Sequence, residues 1–154
     1  MRLVRPDLEL LDAALAGDVP GHTVVAGWAS FTGALERTRE ALAVDPGMTE
    51  WGPRLFFADS ELVGWGGFKG APAGGRVEVG YEIAPERQGR GLATAALQAM
   101  VAEAFTDDRV REVVAHTLPE RNASNRVLEK AGFGFDGEAV ERGAAVWRYR
   151  LARR

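Results

Sequence analysis

The chain has 154 residues, is 46% hydrophobic and 27% charged, and carries a formal net charge of −3. That length suits one compact domain, expected over residues 1–154, able to bury about 68–70% of its unfolded surface. An acidic balance with no basic stripe argues against nucleic acid as a partner, and the lack of cysteine excludes disulfides, thiol nucleophiles and thiolate metal sites.

The two histidines, His22 and His116, are far apart and show no ligand spacing, so no metal is expected. Met1 to Asp7 has no apolar signal region and no run reaches membrane length, which predicts a cytoplasmic protein with no membrane partner.

In chain order, Leu3 to Arg5 reads as a short strand stopped by Pro6. Leu8, Leu11 and Leu15 then recur at helical spacing within Asp7–Ala16, which ends at Gly17. Val19–Trp28 is ambiguous. Thr32–Val44 predicts a second helix with Leu35 and Leu42 inward, stopped by Asp45-Pro46-Gly47. Arg54–Ala58 and Leu62–Phe68 read as strands joined by Asp59-Ser60, and Val77–Ile83 as the next strand after a Gly-rich loop. A helix starts near Gly89 and buries Leu92, Ala96, Met100 and Ala104 beside Leu97, Val101 and Phe105. Glu112–Thr117 follows this crossover helix, so it is expected to run parallel to Val77–Ile83. Asn122–Ala131 is a short helix closed by Gly132, before a last hairpin of Phe133–Val140 and Ala144–Leu151. The order predicts an α+β fold, a mixed and mostly antiparallel twisted sheet of roughly six to seven strands with one βαβ unit and flanking helices.

Gln88-Gly89-Arg90-Gly91-Leu92-Ala93 is the most informative run. A strand, a glycine-rich turn and a helix start gather backbone N–H groups at the positive end of a helix dipole, which suits a phosphate or pyrophosphate. The P-loop pattern is missing, and the Rossmann pattern fails because Thr94 stands where a third glycine belongs. The pattern Gln/Arg-x-x-Gly-x-Gly/Ala is satisfied by Gln88, Gly91 and Ala93.

With Val77-Glu78-Val79-Gly80-Tyr81-Glu82-Ile83-Ala84-Pro85 before that run and Asn122 to Phe133 after it, the chain resembles the GNAT superfamily of acyl-CoA-dependent N-acetyltransferases. The second block is similar to the branch of ribosomal-protein N-terminal (alanine) acetyltransferases. The resemblance covers roughly residues 54 to 151 and implies the GNAT-like fold, with acetyl-CoA as cosubstrate. It further implies that Ile83 and Ala84 offer backbone groups to the pantetheine arm, that Gln88, Gly89, Arg90, Gly91, Leu92, Ala93 and Thr94 cradle the pyrophosphate, and that Asn122 both caps its helix and touches the arm. Arg87 and Arg90 are either charge near the phosphates or solvated arginines flanking a turn.

Ser124 is implied to lie near the CoA sulfur, where it would protonate the departing thiolate. Many family members carry a tyrosine acid where Leu128 stands here, so Ser124 or water would take its place. A thiol pKa near ~8.5 makes the thiolate a fair leaving group in any case. The nucleophile is an amine, which must be neutral to attack. Deprotonating a lysine at pH 7 costs about 4.6 kcal/mol, and an α-amine only about 1 kcal/mol. Glu78 and Glu82 share one strand face with Gly80 between them and are the candidate bases, Glu78 matching the family position of a catalytic glutamate. Trp28, Phe31, Trp51 and Trp65 precede the CoA blocks and are candidates for the acceptor pocket, one or two of them being expected there.

The expected activity is acetyl transfer to a primary amine by direct attack in a ternary complex. A peptide or protein N-terminus is favoured over a small-molecule amine. A non-catalytic acyl-CoA-binding or sensor module is the alternative, and a nucleotide-binding module is a third reading. A homodimer formed through the last hairpin or an exposed strand edge is also among the expectations.

Overall fold

The computed structural model describes residues 1–154. Its elements run β1 (Arg2–Val4), α1 (Leu8–Leu15), β2 (Thr23–Val24), α2 (Gly33–Leu42), β3 (Pro53–Ala58), β4 (Glu61–Phe68), β5 (Arg76–Ile83), α3 (Leu92–Ala104), β6 (Glu112–Thr117), α4 (Ala123–Lys130), β7 (Gly134–Glu141) and β8 (Ala144–Ala152). One sheet holds eight strands, in the order β1-β3-β4-β5-β6-β8-β7 with β2 attached to β4. The expectation of six to seven strands falls short by the two-residue β2, whose pairing to Glu61 and Leu62 only tertiary contact reveals. No helix is long and apolar enough to cross a membrane.

Both faces of the sheet are covered, which explains why β3 and β4 are apolar without strict alternation. Leu55, Phe57 and Leu62 face α1 and α2 in one cluster with Leu11, Ala14, Leu35 and Leu42. Phe56, Val63, Val77, Val79 and Ile83 face the other way, against Ala96, Leu97 and Met100 of α3 and Leu128 of α4. The predicted inward faces of α2 and α3 match, although Leu92, Val101 and Phe105 are only partly buried.

The feature that positions the site is the gap between β5 and β6. Parallel pairing covers only Arg76–Glu78 with Glu112–Val114, although β5 runs on to Ile83 and β6 to Thr117. The expected parallel pair is therefore real but short. Lys69 N–H donates to the Glu78 carbonyl, and Ala84 N–H to the Val63 carbonyl. By two-residue alternation, Tyr81 and Ile83 turn their backbone groups away from β4, towards the side where β6 has already diverged.

Candidate active site

Two hollows flank this divergence and meet at Tyr81 and Glu82, which line both. The first, of about 420 Å³, lies between the start of α3 and the side of α4. Gly89 and Gly91 both have φ of +77°, and a Cβ added at either would meet nothing within 4 Å. Glycine is thus required there by backbone conformation, and the space beside it stays open to a ligand. Gly91 caps α3 without a side-chain hydrogen bond, and Ala95 is the first N–H of that helix to bond back, to the Gly91 carbonyl. The N–H groups of the first turn are left for an anion.

The structure brings Ile83, Gln88, Gly89, Gly91, Leu92, Ala93, Thr94 and Ser124 together around this hollow. Other residues are placed differently from the sequence-based expectation. The Ala84 N–H is used by the Val63 carbonyl, and its own carbonyl already accepts from Arg87 N–H. The Ile83 carbonyl already accepts from the Gln88 side chain at 3.0 Å. Asn122 does not line the hollow. Its side chain accepts from Asn125 N–H, and the Asn125 side chain accepts from Asn122 N–H, closing a capping box. Arg90 is not among the residues lining it, and Arg87 lines the hollow but is held by both oxygens of Glu61, at 3.0 and 2.7 Å. That hydrogen bonding holds the Glu61 carboxyl below its ordinary range.

Arg126 and Lys130 of α4 supply positive charge on the lining and form no ion pair with the protein. Their i, i+4 spacing is the sequence signal that would have found them. Leu128 is 1% exposed and belongs to the core, and it offers no proton donor itself.

The second hollow, of about 460 Å³, is lined by Trp51, Trp65, Phe68, Lys69, Glu82 and Arg142 among others. Of the four candidate aromatics, Trp51 and Trp65 are here. Trp28 is instead buried in the core cluster that also holds Leu35 and Leu62, and Phe31 stands 67% exposed in the loop before α2.

The two candidate glutamates part company, although both lie on the face the alternation assigns them. Glu82 accepts from the Ser30 backbone N–H at 2.8 Å and from the Trp65 indole N–H at 3.0 Å, on the shared wall of the two hollows. Glu78 lies in neither. It sits in a separate depression with Lys69, at 2.6 Å, and His116, at 3.1 Å. Burial acts to raise the Glu78 carboxyl, but the hydrogen bond from Lys69, with the His116 ring close by, outweighs it and holds the group below its ordinary range.

Tyr81 is the group that sequence reasoning missed. Its hydroxyl is buried and makes no hydrogen bond, lying beside Ser124 but outside bonding geometry. Burial pushes the phenol up to about 12, and the nearby serine offsets only part of that, so the proton stays on at neutral pH.

A profile described as the acetyltransferase (GNAT) domain matches residues 3–134. The chain belongs to the GNAT acetyltransferase family. As a GNAT domain it is an acetyl-CoA-dependent N-acetyltransferase, and its free helix N–H groups, open glycine cradle and unpaired Arg126 and Lys130 fit the anionic end of that cosubstrate. It is similar to two Bacillus subtilis (strain 168) proteins. One is the uncharacterized N-acetyltransferase YjdG, 26% identical over 92% of this chain and 90% of that protein. The other is the uncharacterized N-acetyltransferase YoaA, 36% identical over 50% of this chain, a match that spans 44% of YoaA. Among solved structures, the aminoglycoside acetyltransferase AAC(6')-Ib in complex with coenzyme A superposes with a TM-score of 0.71 at 17% identity, covering 98% of this chain and 94% of that one. RimL, a ribosomal-protein alpha-N-acetyltransferase in complex with coenzyme A, superposes with a TM-score of 0.70 at 19% identity over 97% and 92%. At such identities the likeness is one of fold.

Proposed function

We propose that this GNAT domain acetylates the α-amine of a peptide or protein N-terminus by direct attack at the junction of its two hollows. The observation that carries this reading is the shared wall. Tyr81 and Glu82 line both cavities, one built for an anion and the other lined by aromatic side chains and a carboxylate. Acetyl-CoA, when bound, supplies the activated acyl group.

Each residue then has a task. The N–H groups from Gly89 to Thr94 hold the pyrophosphate, and the open edge of β5 at Tyr81 and Ile83 receives the extended arm as a strand edge receives a peptide. Glu82, whose oxygens are oriented by Ser30 and Trp65, keeps a lone pair on each for the incoming ammonium and then for the proton it gives up. Ser124 passes a proton to the leaving sulfur, backed by the Tyr81 hydroxyl behind it. A tyrosine reaching the junction from β5 thus stands in for the one that Leu128 replaces.

The modest basicity on offer favours an α-amine. No histidine lines either hollow, and releasing a lysine proton at pH 7 costs about 4.6 kcal/mol against about 1 kcal/mol for an α-amine.

Incubation with acetyl-CoA and a panel of short peptides and small amines tests the reading. Steady release of free CoA, with acetyl found by mass spectrometry on peptide α-amines, is the expected result. Turnover with small amines only would move the acceptor class, and CoA binding without turnover across the panel would favour the sensor module. In the same assay Glu82→Gln should lower kcat/KM by about a hundredfold or more, the scale of a lost acid–base group. A steep loss in Glu78→Gln with Glu82→Gln active would instead assign the base to Glu78.

A further inference from the structure

The acceptor hollow carries charge of opposite sign at separate places. Glu82 marks the junction. Arg142 lines the same cleft from the β7–β8 hairpin, which reaches it from the far end of the sheet. The guanidinium has no carboxylate partner, whereas the other cation of the cleft, Lys69, is tied to Glu78 at 2.6 Å.

The backbone under Arg142 is unusual as well. Arg142 has φ of +49° and Gly143 φ of +79°, a two-residue turn closing the Glu141–Ala144 pair. Asparagine or glycine is the strain-free choice at such a first position, and arginine is not. A residue kept in a costly conformation, unpaired and facing a cleft, points to a ligand for its side chain.

We infer that Arg142 binds a carboxylate of the acceptor, and that the acceptor is a peptide N-terminus with an acidic side chain close behind its amine. This inference rests on the α-amine reading above. The spacing selects the position of the acid. The hairpin meets β5 at the level of Glu78, because Glu141 and Glu78 both contact His116, at 3.6 and 3.1 Å. Glu82 lies four residues further along the strand, roughly 13 Å at ~3.3 Å per residue. An arginine side chain spans part of that distance, and an extended peptide advances about 3.3–3.6 Å per residue. An acid at the second to fourth residue of the acceptor fits, and the carboxylate of a free amino acid falls short. Glu141, His116 and Lys69 also face this end: Lys69 is engaged by Glu78, and Glu141 lies 3.6 Å from His116 without a hydrogen bond to it. Polycationic acceptors are disfavoured by the same unpaired guanidinium.

The test compares matched peptides on the full chain with acetyl-CoA: Ala-Ala-Asp-Ala-amide, its Asn isostere and its Lys counterpart. The native protein should prefer the Asp peptide over the Asn isostere by about tenfold in kcat/KM, shrinking as salt is added, as expected of a partly exposed ion pair. In Arg142→Gly that ratio should fall towards one while the melting temperature holds or rises, since glycine relaxes the left-handed turn. A purely structural arginine would not separate the two readouts. Arg142→Glu should turn the preference towards the Lys peptide. Equal rates for Asp and Asn peptides in the native protein, or a ratio that survives both substitutions, would overturn the assignment. Absence of turnover with every peptide, with small amines still acetylated, would instead remove the α-amine reading and this inference with it.

Discussion

At the scale of single residues, Tyr81 links stability and chemistry with opposite signs. Its buried hydroxyl lacks a hydrogen-bond partner, an arrangement that costs the folded state about 1–3 kcal/mol. Tyr81→Phe should therefore leave the melting temperature unchanged or raise it. The same substitution should lower kcat about tenfold, a small effect for a proton donor because a thiolate leaves readily. Thermal melts and initial rates on one preparation check both halves, and Tyr81→Phe combined with Ser124→Ala should cost little more than either alone if the two act in series. Nothing within a few residues of Tyr81 shows this in the sequence. The alternation assigns the ring to the Val77–Ile83 side, but the partner, Ser124, belongs to another element.

At the scale of elements, the acceptor wall hangs on one buried arginine. Arg54 in β3 is 4% exposed. It bonds the carbonyls of Thr49, Glu50, Gly52 and Pro53 and pairs with Glu103 of α3 at 2.9 Å. That cage holds the segment carrying Trp51 against the helix whose other end forms the donor cradle. Arg54→Met keeps the bulk but removes the side-chain donor to the Glu50 and Pro53 carbonyls and the partner of Glu103, and should cost about 1–3 kcal/mol in denaturant unfolding. The donor end is sensitive in a different way. Gly91→Ala puts a Cβ on a left-handed position at the helix start, so isothermal titration should show CoA binding weakened by about tenfold, the scale of ~1–2 kcal/mol of backbone strain. The glycine spacing was legible in the sequence because a turn and a helix start are local. The buried Arg54 read only as the first residue of a strand, since its carbonyl partners converge through folding.

At the scale of the whole molecule, several carboxylates set the acid limit of stability. Asp107 is held down to about 2 by its hydrogen bonds from Arg109. Glu61 is lowered by Arg87, and Glu78 and Glu112 are lowered by their cationic partners despite burial that acts to raise them. Each folded-state value lies below the unfolded one, so between the two the unfolded chain binds more protons. Their contribution is fully present above about pH 4–4.5 and is lost as pH falls through the folded values. Melting temperature should stay nearly level from pH 7 to 5 on this account and decline below pH 4, modestly because most of these pairs are solvent-screened, with Tyr81 adding a loss only as pH rises from 10 towards 12. A series of thermal melts across pH checks the shape.

The sequence by itself determined what depends on near neighbours: a helix start close to Gly89, another at Asn122, the shared face of Glu78 and Glu82, and the glycine cradle. Those features follow from backbone conformation, capping and two-residue alternation, which act over a few residues. Only the tertiary structure decided which polar groups meet. The early divergence of β6 from β5 opened the edge at Tyr81, the loop carrying Ser30 and the Trp65 indole oriented Glu82, and a hairpin from the far end of the sheet delivered Arg142. Such meetings join residues far apart in the chain, and their geometry comes from packing two faces of one twisted sheet rather than from any local pattern.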